Sequence, residues 1–138
     1  MKRFSFSLDR VRVWRQEQIQ MEDMRLANLR VSLHAILEER KHVLAERSQA
    51  EASTDRGCPA EMIQLAHFRQ HLAQREQAIA TREKEQRSLL EAQRARLLEV
   101  RRQYELLQQL RQKQFVAWRA ASDKEQEDFA AELFLARR

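Results

Sequence analysis

Between residues 62 and 121 apolar side chains return on a single heptad frame: Met62, Leu65, Leu72, Ile79, Leu90, Leu97, Val100, Tyr104, Leu107, Trp118 and Ala121. Steps that add up to seven draw a narrow stripe along one side of an α-helix, which is the seam of a coiled coil. The same frame puts Arg69, Glu76, Glu83, Gln86, Gln93 and Arg111 at seam positions. Polar residues there weaken packing and fix register, so the middle of this helix is expected to be its softest part. Upstream, Leu8, Val11, Ile19, Leu26, Leu29, Leu33, Ile36 and Val43 predict a first helix. Two steps of four between Val11 and Ile19 read as a stutter in its repeat.

The two helices are separated by the only glycine and the only proline of the chain, Gly57 and Pro59. Glycine suits the left-handed residue after a helix end, and proline suits the first turn of the next helix. Ser7 is the expected amino-terminal cap, with Asp9 in the first turn and a Phe6–Val11 staple. These signals place helix one at about 8–52, the turn at about 53–59 and helix two at about 60–136, in one coiled-coil domain. Ser122-Asp123-Lys124-Glu125 matches a capping box, so a kink or a new helix near 122 is weighed equally against an unbroken helix. The expected fold is all-α, an antiparallel coiled-coil hairpin with helix two overhanging. At about 1.5 Å per residue, everything after about Tyr104 passes the start of helix one, which leaves Phe115 and Trp118 on an unpaired helix.

Charged residues are 34% and hydrophobic residues 43% of the chain, a balance that suits solvated helices. The net charge of +5 invites a nucleic-acid reading. Interleaved signs argue against that, as in Glu38-Glu39-Arg40-Lys41. Two segments break the balance, a basic one from Arg94 to Arg119 and an acidic one from Asp123 to Glu132, and adjacent opposite patches suit protein docking better than a phosphate track. A lone cysteine, Cys58, forms no internal disulfide and fits a reducing compartment. With neither a signal peptide nor a run of about 20 apolar residues, the expected location is cytoplasmic, without membrane insertion.

Enzyme chemistry finds little support. One glycine, placed at the turn, leaves none for a phosphate-binding loop, and no G-x-S-x-G nucleophile motif occurs. No cofactor is expected. His67 and His71 have the spacing of a two-histidine metal clamp, and hairpin folding brings His42 to a similar height. The heptad frame turns both histidines outward, so no metal site is expected either. Leu37 and Leu44 beside the seam of helix one, and Phe68 beside that of helix two, widen the apolar stripe near the turn. That extra width suits either a docking surface for another protein or self-association into a scaffold.

The opening Phe4-Ser5-Phe6-Ser7-Leu8-Asp9-Arg10-Val11 resembles the F-x-F-x-L-x-x-V start of the flagellar FliJ family, small components of the type III export apparatus. Arg15 and Glu17 follow as charged residues often do there. Phe68-Arg69-Gln70-His71-Leu72 is similar to an F-x-Q-x-L segment of some members. Asp123 to Ala130 resembles the carboxyl-terminal K-x-Q-K-x-x-D-E-x-A stretch, with Glu127 in place of a second lysine. The resemblance implies a non-enzymatic stalk that contacts the hexameric export ATPase and the export gate membrane protein, and in some members export chaperones. It implies a cytoplasmic location, peripherally attached to the inner membrane through the apparatus. The implied gate-binding surface comprises Phe68 and Leu72, with Leu33, Leu37 and Leu44 on helix one. The implied ring-binding end comprises Arg101, Arg102, Arg111, Phe115, Trp118 and Arg119.

Overall fold

The computed structural model describes residues 2–52 and 58–137. It is an all-α helical hairpin of α1 (Asp9–Ala52) and α2 (Pro59–Ala136), with no strand among the described residues. Pro59 is the first residue of α2, where its missing N–H costs no intrahelical bond, and the Cys58 carbonyl accepts the Met62 N–H at 3.0 Å. The reading of Gly57 as a helix stop lies outside the described residues. At the other end, Leu8 supplies the first intrahelical carbonyl to Arg12, so Leu8 takes the capping position expected of Ser7. Asp9 sits in the first turn and pairs with Arg12. No new helix begins at Ser122, which lies inside α2.

Packing divides the chain into two compact units, one of Glu22–Ala95 and one of Met1–Met21 with Arg96–Arg138. In the first, Ile36, Val43 and Ala50 of α1 form one buried cluster with Leu72 and Ile79 of α2, and Leu65 packs against it. These are the seam residues nearest the turn, and each fully buried aliphatic side chain contributes about 1.5–3 kcal/mol.

Further along the same unit polar side chains take over the seam. The Gln86 amide donates to the Leu29 carbonyl at 3.1 Å, and the Gln93 amide donates to the Glu22 carbonyl at 3.1 Å. A step of seven forward on α2 is thus a step of seven backward on α1, which fixes the helices as antiparallel. Arg69 reaches the Ala50 carbonyl at 3.5 Å, near the turn. The Leu29 and Glu22 carbonyls lie well inside α1 and already serve its own ladder. A carbonyl has two lone pairs, so the second bond leaves the helix ladder intact.

Charges lock the register from both flanks. Glu39 binds Arg82 at 2.9 Å and Glu46 binds Arg75 at 3.5 Å, with the acids on α1. On the other pairing the signs reverse: Arg40 binds Glu83 at 3.1 Å and Arg47 binds Glu76 at 3.2 Å, with the acids on α2. Members of each set are one heptad apart. The arginines are more than one-third exposed, so each pair adds only about 0.2–1 kcal/mol. Their joint effect is specificity, because the parallel arrangement sets like charges together and a shift by one heptad leaves members of each set without partners.

In the second unit Phe6, Leu97 and Val100 are buried. Here the sequence reading of α1 needs correction. Leu8 and Val11 are 37% and 42% exposed, while Arg12 and Arg15 take the inward-facing positions. Arg12, Arg15 and Ile19 follow ordinary steps of three and four, so α1 has no stutter. Long arginine stems can lie along a seam with their charged heads at its edge. Arg12 does so with Asp9 at 2.9 Å, and the Asp9 hydrogen bond, with a weaker one to Tyr104, raises the guanidinium pKa further.

Candidate functional site

The surface near the turn is narrower than the resemblance implies. Phe68 and Leu44 are each 43% exposed, and Leu33 and Leu37 are half-buried. Leu72, however, is 2% exposed and belongs to the buried cluster, so it is not available to a partner. The correction has a simple cause. Leu72 stands on the heptad frame that builds the seam, and a residue cannot fill the seam and face outward at once. Met62 and Ile63, at 54% and 61% exposed, add apolar surface at the start of α2.

At the other end, the expected unpaired aromatics are covered. Residues 2–7 precede α1 and run along α2 without helical structure. Phe4 packs edge-on against Phe115, with ring centres 5.2 Å apart, and lies 5.7 Å from the Trp118 ring. Trp118 donates its indole N–H to the Lys2 carbonyl at 3.1 Å. The Arg111 guanidinium stands 5.9 Å from the centre of the Phe4 ring. This amino-terminal strap explains why pairing extends beyond Tyr104: an extended residue advances roughly 3.3 Å, against about 1.5 Å in a helix. Half a dozen extended residues therefore reach far along α2. The F-x-F pattern is the sequence signal for the strap, since Phe6 is buried at its base and Phe4 fills the aromatic cluster.

Of the remaining ring-end residues, Arg101, Arg102 and Arg119 are exposed, and Arg111, Phe115 and Trp118 are half-buried. From Asp123 to Arg137 every residue of α2 and its last turn is exposed. Beyond the strap α2 thus continues as a single helix.

Elsewhere the chemistry is sparse. His42, His67 and His71 are exposed, and no group of three potential ligands that could hold a metal occurs among the described residues. No helix among them is long and apolar enough to cross a membrane. Hydrogen bonds to Glu76 first and Glu51 next raise the Arg47 pKa, which reflects the flank lock. The one buried charged side chain among the described residues is Glu22, 1% exposed. It is held by Arg25 at 3.0 Å and by the Gln93 amide.

Fold and surfaces together define a class: a two-helix hairpin whose α2 continues past a strapped end. No family model, curated protein or solved structure matches the chain.

Proposed function

We propose that the chain is a stalk of the FliJ kind in a flagellar type III export apparatus, a non-enzymatic cytoplasmic protein that contacts the export ATPase ring and the export gate. The observation that carries the reading is the use made of the motif behind the resemblance. Phe4 and Phe6 of F-x-F-x-L-x-x-V tie the amino terminus to α2, and α2 runs on alone beyond the tie. A single helix emerging from a paired one fits a ring's central opening, while Phe68 and Leu44, bordered by Leu33 and Leu37, offer the gate a separate surface. The exposed Arg101, Arg102 and Arg119 would steer the ring-facing end by charge, which speeds encounter more than it tightens the complex. Export chaperones are further partners on this reading.

The experiment adds the chain to the export ATPase of the same cell and follows hexamer formation by sedimentation and turnover by phosphate release. Both should rise. Unchanged assembly and turnover would remove the stalk reading.

A self-associating scaffold is the second reading. Met24 and Val31, one heptad apart on α1, are 68% and 69% exposed, and that stripe would suit another helix. A stable dimer dispersed by Met24→Lys and Val31→Lys would favour it.

A further inference from the structure

The inward face of α2 does not stop where its cover stops. Arg111, Phe115, Trp118 and Ser122 are the half-buried positions of α2 at the strapped end, spaced by four, three and four. A second step of four then leads to Gln126, and beyond it Phe129, Leu133 and Ala136, at about 100° per residue, lie on the same side of the helix. Phe129 is 62% exposed and Leu133 is 48% exposed. An apolar side of α2 thus continues onto a stretch with nothing across from it among the described residues. Beside this face, Glu125, Asp128 and Glu132 fall on one flank by their spacing of three and four. None of the three has an ion-pair partner among the described residues.

This protein shows what it places opposite such a row. Where carboxylates border a packed apolar seam, an arginine comes from the facing helix: Arg82 to Glu39, Arg75 to Glu46, Arg40 to Glu83 and Arg47 to Glu76. From the continued seam and its acidic border we infer that residues 122–136 of α2 are a docking face for a basic amphipathic helix of another protein, with apolar residues at heptad spacing and Arg or Lys along the flank. A second copy of the same segment is disfavoured by charge, because the flank of Glu125, Asp128 and Glu132 would meet its own copy across a two-fold axis. The inference does not depend on the export reading, since it needs only the face itself.

The test uses the full chain and two synthetic helical peptides, alike in leucines at the seam positions, one with arginines on the flanks and the other with glutamates. By fluorescence anisotropy in low salt, the arginine peptide should bind and the glutamate peptide should not, with binding weakened by added salt. Phe129→Ser with Leu133→Ser should weaken it at least about tenfold, as loss of central apolar anchors does. Changing Glu125, Asp128 and Glu132 together to Lys should reverse the preference, so that the glutamate peptide binds instead. Circular dichroism of each variant reports whether the helices persist. Equal binding of the two peptides, no effect of the serine pair, or failure of the lysine variant to reverse the preference would overturn the inference. So would sedimentation in which the chain pairs with itself through Phe129 and Leu133.

Discussion

The side-chain amide of Gln93 holds both oxygen types of Glu22, donating to its backbone carbonyl at 3.1 Å and to its carboxylate. Glu22 is 1% exposed, so a charge sits within the seam, and Arg25 from the next turn of α1 completes its shell. Gln93→Leu should destabilise the hairpin by about 1–3 kcal/mol, because it leaves a buried carboxylate short of a donor. Adding Glu22→Leu should recover that loss or more, since an apolar pair of similar volume often replaces a buried polar one at no cost. Urea denaturation of the two singles and the double checks this. A double variant weaker than either single would refute it.

Glu39 faces two arginines one heptad apart, Arg82 at 2.9 Å and Arg75 at 4.0 Å. Glu39→Arg should lower stability by roughly 0.5–1 kcal/mol, and adding Arg82→Glu should restore part of it, because the contributions of neighbouring charges couple. The thermal midpoints of the single and double variants, compared at low and high salt, provide the measurement. An equal loss at both salt concentrations would show that charge is not the cause.

The strap predicts a spectroscopic change. Trp118 packs against both Phe4 and Phe115, whereas Trp14 is 53% exposed. In a Trp14→Phe background, Phe4→Ala should shift the Trp118 emission to the red and release about 0.5–1.5 kcal/mol of aromatic pairing. Emission unchanged from the parent would mean that the amino terminus does not cover the indole in solution.

Leu72 and Phe68, four residues apart, should part company in mutagenesis. Leu72→Ala opens a hole in the buried cluster and should cost about 2–5 kcal/mol. Phe68→Ala removes a half-exposed ring and should stay within roughly 0.5 kcal/mol of the parent. Calorimetry of both variants distinguishes seam from surface. Only the Phe68 variant is then a clean probe of partner binding.

Much of the hairpin is legible in the sequence because α2 keeps one repeat from Leu65 to Leu107 and because its exceptions are themselves informative. Gln86 and Gln93 read as register-fixing polar residues, and in the structure they bond across to α1. The start of α1 is less legible, since Arg12 and Arg15 occupy positions where an apolar pattern is sought while Val11 lies outside. The strap is hidden for another reason. Counting residues at helical rise places Phe115 and Trp118 beyond any partner, and only an extended segment such as residues 2–7 can reach them. The gate-facing set contained Leu72 because a motif carried from a resemblance ignores which side of the helix a residue occupies.

The apolar cluster near the turn also sets an order of events. The cluster of Val43, Ala50 and Leu72, with Leu65 packed against it, joins residues close in sequence, whereas Lys2 and Trp118 are separated by most of the chain. Closing a longer loop costs more entropy, so the hairpin should zip from Val43 and Leu72 outward, with the strap fastened last. Opening runs in reverse. Amide hydrogen exchange should therefore find the slowest protons around Val43 and Leu72, faster ones near Arg12 and Trp118, and the fastest helical ones in the uncovered residues 123–136. The end that carries the uncovered face of α2 would be the last part of the molecule to set and the first to loosen.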